Sequence, residues 1–168
     1  MEMPSIKKIE IDSFTYDVKG ITHQRAFHYD PDSTLTRGAS AIRIHADNGV
    51  VGEFAGWGAD PSAVAQVAKR YVGTNPLDRE KAYQRMKASP IMAVFDLALW
   101  DFAGKMTGLP VHALIGTYRT KVPAYASTID GAVKGPLSTP ESYADFAEAC
   151  LSMGYRGFKI HPMAWTDL

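Results

Sequence analysis

Residues Ala93 to Gly116 read AVFDLALWDFAGKMTGLPVHALIG and carry the strongest structural signal in the sequence. Its apolar residues recur at helical spacing and predict a helix from Pro90 to Thr107, the clearest in the chain. Gly108 and Pro110 are typical of the residues that follow a helix C-terminus. The apolar stripe consists of Ile91, Val94, Phe95, Ala98, Leu99, Phe102 and Met106.

The residues before this helix predict a small antiparallel sheet. An opening strand with an irregularity after Ser13 is followed by a half-buried strand from Ile42 to Ala46, where apolar and polar residues alternate. Asp47-Asn48-Gly49 predicts a tight turn, after which Val50 to Ala55 returns antiparallel. The polar segment from Gly20 to Gly38 is expected to be a long loop, and such loops are usually functional or disordered.

Two shorter helices are expected between the sheet and the main helix. Asp60 and Pro61 are typical of a helix start, and helical spacing continues to Gly73. The second short helix is expected from Leu77 to Lys87, after the turn at Asn75-Pro76.

After Gly116 the pattern becomes strand, helix, strand. Val122 to Thr128 predicts a strand, Thr139-Pro140 opens a helix that Gly154 ends, and Tyr155 to His161 predicts the next strand. This βαβ unit is the building block of a parallel sheet or a (β/α)8 barrel.

The composition indicates which partners, disulfide bonds and cellular location to expect. Lys plus Arg (18) balances Asp plus Glu (18), so the charge does not indicate a nucleic-acid or membrane partner. The single cysteine, Cys150, allows no intrachain disulfide and is expected to be buried. No signal peptide or membrane span is predicted, and a reducing cytoplasm is the expected location.

The Ala93–Gly116 stretch resembles the signature of the mandelate racemase/muconate lactonizing group of the enolase superfamily. The shared elements are Asp96, Ala98-Leu99-Trp100-Asp101, Gly104-Lys105, Gly108-Leu109-Pro110 and Leu114-Ile115-Gly116. Val122 to Ser127 looks like the first barrel strand of that family, and Gly154 to Lys159 looks like the approach to the second.

The resemblance implies two domains. Residues 1–116 correspond to an α+β capping domain, with a three-stranded antiparallel sheet plus helices. Residues 117–168 correspond to the first βαβ unit of a (β/α)8 barrel. Because such a barrel needs about 200 residues or more, it cannot close within this sequence, and we expect the chain to be truncated.

The resemblance also implies a chemistry. In this family a base removes the proton α to a substrate carboxylate, and Mg²⁺ stabilises the enediolate that forms. The family pattern Lys-x-Lys on the second strand is altered here to Lys159-Ile160-His161. Residues two apart on a strand share a face, so both side chains are expected to enter the barrel. His161 is the candidate base and Lys159 its helper; alternatively His161 only positions substrate, and a later strand supplies the base.

The metal ligands of the family come from the third, fourth and fifth barrel strands, so none is predicted here. Mg²⁺ is therefore expected as a cofactor with ligands beyond these residues. Asp96 and Asp101, five apart on the main helix, are expected to cap or pair locally.

Substrate selection in this family is implied to come from two loops of the capping domain. Their counterparts are Gly20–Gly38 and Glu53–Gly58. The candidate substrate-binding residues are His23, Arg25, His28, Tyr29, Trp57 and, at the first barrel strand, Ser127. A solvated role for each loop residue is the alternative.

Gly52, Gly56 and Gly58 lie between a strand and a helix, as the glycines of a dinucleotide-binding loop do. Their spacing is wrong for that loop, and the preceding strand belongs to a hairpin. A nucleotide site is not expected.

The sequence therefore predicts part of a Mg²⁺-dependent enzyme, most simply an acid-sugar or hydroxy-acid dehydratase. A racemase or epimerase of the same family is the alternative, because both reactions share the first step. A different class of explanation is an inactive fragment that acts only by association. The expected partners are a small carboxylate substrate and further copies of the chain, with no nucleic acid and no membrane.

Overall fold

The computed structural model describes residues 3–23, 27–57, 61–86, 92–128 and 137–160. In chain order, the elements are β1 (Ile6–His23), β2 (Phe27–Ala46), β3 (Val51–Trp57), α1 (Pro61–Ala68), α2 (Arg79–Met86), α3 (Met92–Thr107), α4 (Val111–Leu114), β4 (Ala126–Ser127), α5 (Pro140–Ser152) and β5 (Phe158–Lys159). They form a three-stranded sheet, β1-β2-β3, and a two-stranded sheet, β4-β5.

The chain divides into two compact units. The first consists of Met1–Tyr16 with Gly38–Tyr118, and the second consists of Asp17–Arg37 with Arg119–Leu168. The domain boundary expected after Gly116 stays a prediction. Among the described residues, no helix combines the length and apolar character that crossing a membrane requires.

The predicted β-hairpin is confirmed. β2 and β3 are antiparallel, with Ile44 opposite Gly52. The Ala46 N–H donates to the Val50 carbonyl oxygen at 3.1 Å, which closes the turn. Gly49 has φ of 82°, a left-handed conformation that the turn requires and glycine adopts at no steric cost.

The predicted loop from Gly20 to Gly38 is wrong for the described residues. β1 continues to His23 without a break at Ser13, and β2 begins at Phe27. From Asp32 to Arg37 exposed and half-buried residues alternate, as in a strand. The sequence does not indicate this alternation because both faces of the strands carry polar residues. The strands form because their pairing satisfies backbone hydrogen bonds that a loop would leave to water. The second predicted loop, Glu53–Gly58, is β3 as far as Trp57, and Gly58 lies outside the described residues.

The core of the first unit lies between the three-stranded sheet and α3. Phe95, Ala98 and Phe102 are each 0% exposed, as is Ile44 on the sheet. The apolar stripe predicted from the sequence is thus the buried face of α3. The helix begins at Met92, and Ile91 of the predicted stripe lies outside the described residues. Gly108, with φ of 68°, follows the helix end as expected.

Gly52 allows β3 to lie close against α3. A Cβ at this position would stand 2.3 Å from the Ala98 carbonyl oxygen and 2.5 Å from the Phe102 Cβ. No side chain fits there without moving the backbone of one element. Gly52 therefore serves sheet–helix packing, in agreement with the rejection of a dinucleotide loop.

The two short helices are shorter than expected. α1 ends at Ala68 because the chain that follows pairs with β1: the Gly73 N–H donates to the Ile6 carbonyl oxygen, and the Ile6 N–H donates to Thr74. α2 begins at Arg79 because the Asn75 side chain accepts from the Leu77 N–H at 2.9 Å and holds the turn before it.

Asp101 and Lys105 of α3 bind the free edge of β3. The Asp101 carboxylate accepts from the Glu53 backbone N–H at 2.8 Å, and the Lys105 ammonium donates to the Val51 carbonyl oxygen at 3.1 Å. The two side chains also form an ion pair at 2.8 Å. Both strand groups face away from β2, so these contacts satisfy an edge that would otherwise accept another strand.

Asp96 forms the other local pair of α3. Its carboxylate lies 2.7 Å from the Arg79 guanidinium, which also stacks 3.2 Å from the centre of the Trp100 ring. The expectation that Asp96 and Asp101 pair locally is confirmed.

Candidate functional site

The predicted βαβ unit is confirmed and positions the candidate site. β4 and β5 are parallel, with Ala126 opposite Phe158 and Ser127 opposite Lys159. The described strands are shorter than predicted, because regular pairing is limited to these positions. The Ala126 N–H donates to the Gly157 carbonyl oxygen at 2.9 Å.

Helix α5 connects the two strands and has strong local end signals. Thr139 caps its N-terminus: its hydroxyl accepts from the Ser142 N–H, while the Ser142 hydroxyl accepts from the Thr139 N–H. This reciprocal pair satisfies two amide donors that a helix start leaves free. At the other end Gly154 has φ of 97°, and Cys150 is buried as predicted.

The contact between Phe146 and Phe158 identifies the two faces of the β4-β5 pair. The Phe158 ring meets the Phe146 ring of α5 edge to face, with centroids 6.0 Å apart. Because side chains alternate along a strand, Lys159 lies on the opposite face from α5. Its register partner Ser127 lies on that face too.

Gly157, two residues before Lys159, lies on the same face of the β4-β5 pair. A Cβ there would lie 3.0 Å from the Tyr125 Cβ, so the glycine leaves room for the tyrosine. The face turned away from α5 therefore carries Tyr125, Ser127, Gly157 and Lys159. Tyr125 and Lys159 are exposed, and the ammonium is available to an anionic ligand.

The predicted site residues fall into three groups. Ser127 and Lys159 are brought together on one face of the parallel pair. His161 and Arg25 lie outside the described residues. His23 is on β1, His28 and Tyr29 are on β2, and Trp57 ends β3; their side chains also lie outside the description.

Sequence reasoning missed Thr128, which directly follows β4. Thr128 is 5% exposed, and its hydroxyl donates to the Lys159 carbonyl oxygen at 3.3 Å. Its place beside Ser127 was the available signal, but its contact with Lys159 depends on strand register, which the sequence does not specify.

The metal expected from the resemblance has no donor set in this part of the molecule. Among residues 3–23, 27–57, 61–86, 92–128 and 137–160, no three His, Cys, Asp or Glu side chains cluster closely enough to hold an ion. The described residues therefore do not fit Mg²⁺, and its ligands have to be sought outside them.

Comparison with known proteins gives dehydratases, isomerases and an epimerase as similar chains. D-xylonate dehydratase of Haloferax volcanii is 32% identical in an alignment 134 residues long that covers 71% of this chain and 32% of that protein. The crystal structure of D-glucarate dehydratase from Agrobacterium tumefaciens, complexed with magnesium, superposes with a TM-score of 0.80 at 30% identity, over 96% of this chain and 46% of that one. A member of the enolase superfamily from Agrobacterium tumefaciens shares the fold, with a TM-score of 0.65 at 20% identity over 95% of this chain and 48% of that one.

The chain belongs to the enolase superfamily. No family model matches the sequence. The three-stranded antiparallel sheet with its helices is the N-terminal capping domain of that superfamily, as predicted. This enolase-superfamily chain spans about a third of the curated dehydratase, at 32%, and just under half of the solved dehydratase chain, at 46%.

Proposed function

We propose that the intact protein is a Mg²⁺-dependent dehydratase that acts on a sugar acid or a related hydroxy acid. The observation that carries the proposal is the opposition of Ser127 and Lys159 on the face of the β4-β5 pair turned away from α5. In a parallel βα barrel that face is the interior, and catalytic residues lie at the carboxyl ends of its strands. The dehydratases to which the chain is similar support the same reaction class.

The reaction begins with the proton on the carbon next to the substrate carboxylate. This proton is weakly acidic, because its removal leaves a second negative charge beside the first. A cation beside the carboxylate stabilises that charge as it develops. Lys159 supplies this cation in the proposal. The Ser127 hydroxyl, which donates to the Thr128 carbonyl oxygen at 3.3 Å in the structure, turns to donate to the substrate carboxylate instead.

The base in the proposal is His161, two residues beyond Lys159. A neutral imidazole accepts a proton near neutral pH, and a neighbouring ammonium favours its neutral form. After proton removal the hydroxyl on the β carbon takes up a proton and leaves as water. The resulting enol gains a proton at the β carbon and loses one from its 2-hydroxyl, which gives a 2-keto-3-deoxy acid, so the net change is the loss of one water molecule.

Mg²⁺ dependence rests on the resemblance and on the magnesium complex of the similar D-glucarate dehydratase. Because the described residues form no donor set, none of the steps above is assigned to the metal. The substrate contacts of His23, Arg25, His28, Tyr29 and Trp57 also stay proposals, as do the homo-oligomeric state, the cytoplasmic location and the inactivity of the 168 residues alone.

The experiment is an assay of the intact protein with Mg²⁺ against a panel of hexonates, pentonates and aldarates. We expect a 2-keto-3-deoxy acid from at least one of them, detected as a semicarbazone. An epimer formed without a keto product would instead indicate the racemase alternative. No change in any acid, with a folded protein, would reject both.

A further inference from the structure

Thr128 makes two contacts with one atom of Lys159. Its backbone N–H donates to the Lys159 carbonyl oxygen at 3.0 Å, and its hydroxyl donates to the same oxygen at 3.3 Å. The side chain is 5% exposed, in a region where its neighbours Ser127 and Lys159 are both exposed. The hydroxyl is thus buried at the edge of an open face.

Two donors on one carbonyl oxygen constrain the peptide plane more than one does. A carbonyl oxygen has two acceptor sites, and here both donors come from a single residue on the neighbouring strand. The plane that follows Lys159 sets the backbone ψ angle of that residue. Burial of the Thr128 hydroxyl favours hydrogen bonds with protein groups, and one of these is the bond to the Lys159 carbonyl oxygen.

Shape alone does not require a threonine at this position. Valine has nearly the same volume and the same branched Cβ, and it suits an extended backbone equally well. The hydroxyl is the one group that valine lacks, and its described acceptor is the Lys159 carbonyl oxygen.

We propose that Thr128 is a positioning residue that holds the backbone of Lys159, and through it the direction of the ammonium toward the substrate carboxylate. The inference rests on the proposed function, because Lys159 has a substrate to meet only in that reaction. Thr128 itself has no contact with substrate in this proposal.

The test compares Thr128→Val with Thr128→Ser in the intact protein. Thr128→Val is expected to lower kcat about tenfold while KM changes less than about threefold, because misplacement of a catalytic group weakens the transition state more than substrate binding. Thr128→Ser keeps the hydroxyl and is expected to restore kcat to within about twofold of wild type. Unchanged kcat in Thr128→Val, or kcat in Thr128→Ser as low as in Thr128→Val, would overturn the proposal.

A second measurement decides the contact without any substrate. The backbone amide of residue 128 should exchange with deuterium about tenfold faster in Thr128→Val than in wild type. Without the hydroxyl, the Lys159 carbonyl oxygen that accepts from this amide is held less firmly. The Ala46 amide, which donates to Val50 in the first unit, is the internal control and should not change. Equal exchange rates of this amide in both proteins would contradict the proposal that the Thr128 hydroxyl holds the backbone of Lys159. If wild type acted on no acid, the proposed function would fail, while this measurement would still decide whether the Thr128 hydroxyl holds the Lys159 carbonyl oxygen.

Discussion

Ser127 and Lys159 stand directly opposite each other on adjacent parallel strands, on the face turned away from α5. The Lys159 ammonium is a donor suited to a carboxylate, and the Ser127 hydroxyl joins it by turning from the Thr128 carbonyl oxygen, to which it donates at 3.3 Å. The pair links the altered motif Lys159-Ile160-His161 to a second strand and makes the proposed chemistry testable by substitution.

Lys159→Met removes the ammonium and keeps a similar length of side chain. We expect kcat/KM of the intact protein for its acid substrate to fall about 10²–10³-fold, because a cation that stabilises developing charge is lost. Ser127→Ala should cost about tenfold, as expected for one hydrogen bond to a charged group. Steady-state assays measure both. Lys121→Met, at an exposed lysine before β4, is the matched control and should leave kcat/KM unchanged; an equal loss in Lys121→Met would contradict a specific role for Lys159.

Gly52→Ala tests the close approach of β3 and α3. The added Cβ would meet the Ala98 carbonyl oxygen at 2.3 Å, so the two elements must separate. We expect the free energy of unfolding to fall by about 1–3 kcal/mol, the usual cost of overpacking a core. Gly38→Ala is the control, because a Cβ at Gly38 would meet nothing within 4 Å. Urea unfolding of both variants measures the difference, and equal stabilities would show that the sheet and α3 do not pack this closely.

Asp101→Ala leaves the Glu53 N–H at the edge of β3 without its carboxylate partner. We expect a loss of about 1 kcal/mol in unfolding free energy, the value of one hydrogen bond to a charged acceptor near the surface. The opened strand edge should also increase self-association at high concentration, which light scattering measures. Asp145→Ala, at an exposed carboxylate on α5, is the control. A variant at Asp101 as stable and as monodisperse as the Asp145 control would contradict the edge contact.

We expect Glu10 to make the stability of the first unit depend on pH. A hydrogen bond from Lys8, and then one from His45, holds the pKa of Glu10 below its usual value. A carboxyl whose pKa is lower when folded contributes stability above its unfolded pKa, and this contribution is lost as pH falls through the folded pKa. Glu10→Gln should therefore destabilise at neutral pH and match wild type in acid.

Unfolding midpoints of Glu10→Gln and wild type at neutral pH and at about pH 3 measure this difference. Glu148→Gln, at an exposed carboxyl on α5, is the control. A difference between Glu10→Gln and wild type that persisted unchanged into acid would contradict the assignment to Glu10.

Local periodicity was sufficient to predict α3, the β2-β3 hairpin and the βαβ unit, because in each case one face is apolar and the ends have strong turn or cap residues. It failed for the described residues between Gly20 and Gly38, where strands with polar residues on both sides look like a loop. It also failed after Ala68, where hydrogen bonds with Ile6 of β1 end the helix early. Both outcomes depend on hydrogen-bond partners that lie far away in the sequence, so a short stretch of residues does not reveal them.

The candidate site, too, is predictable from the sequence only in part. Lys159 and Ser127 were predicted from a family motif, residue by residue. Their opposition and the contact of Thr128 with Lys159 depend on the register between two strands that lie far apart in the sequence, since Ser127 and Lys159 are 32 positions apart. Side-chain alternation predicts a face, but register decides which residues meet across it.

Release of tritium to water from an acid sugar labelled at the α carbon measures proton abstraction by His161, the step on which the proposed reaction depends. This release reports removal of the α proton whether dehydration or racemization follows. The intact wild-type protein with Mg²⁺ is predicted to release the label, and His161→Ala is predicted to lose both label release and turnover. Label release by His161→Ala at the wild-type rate, with turnover lost, would contradict the assignment of His161 as the base.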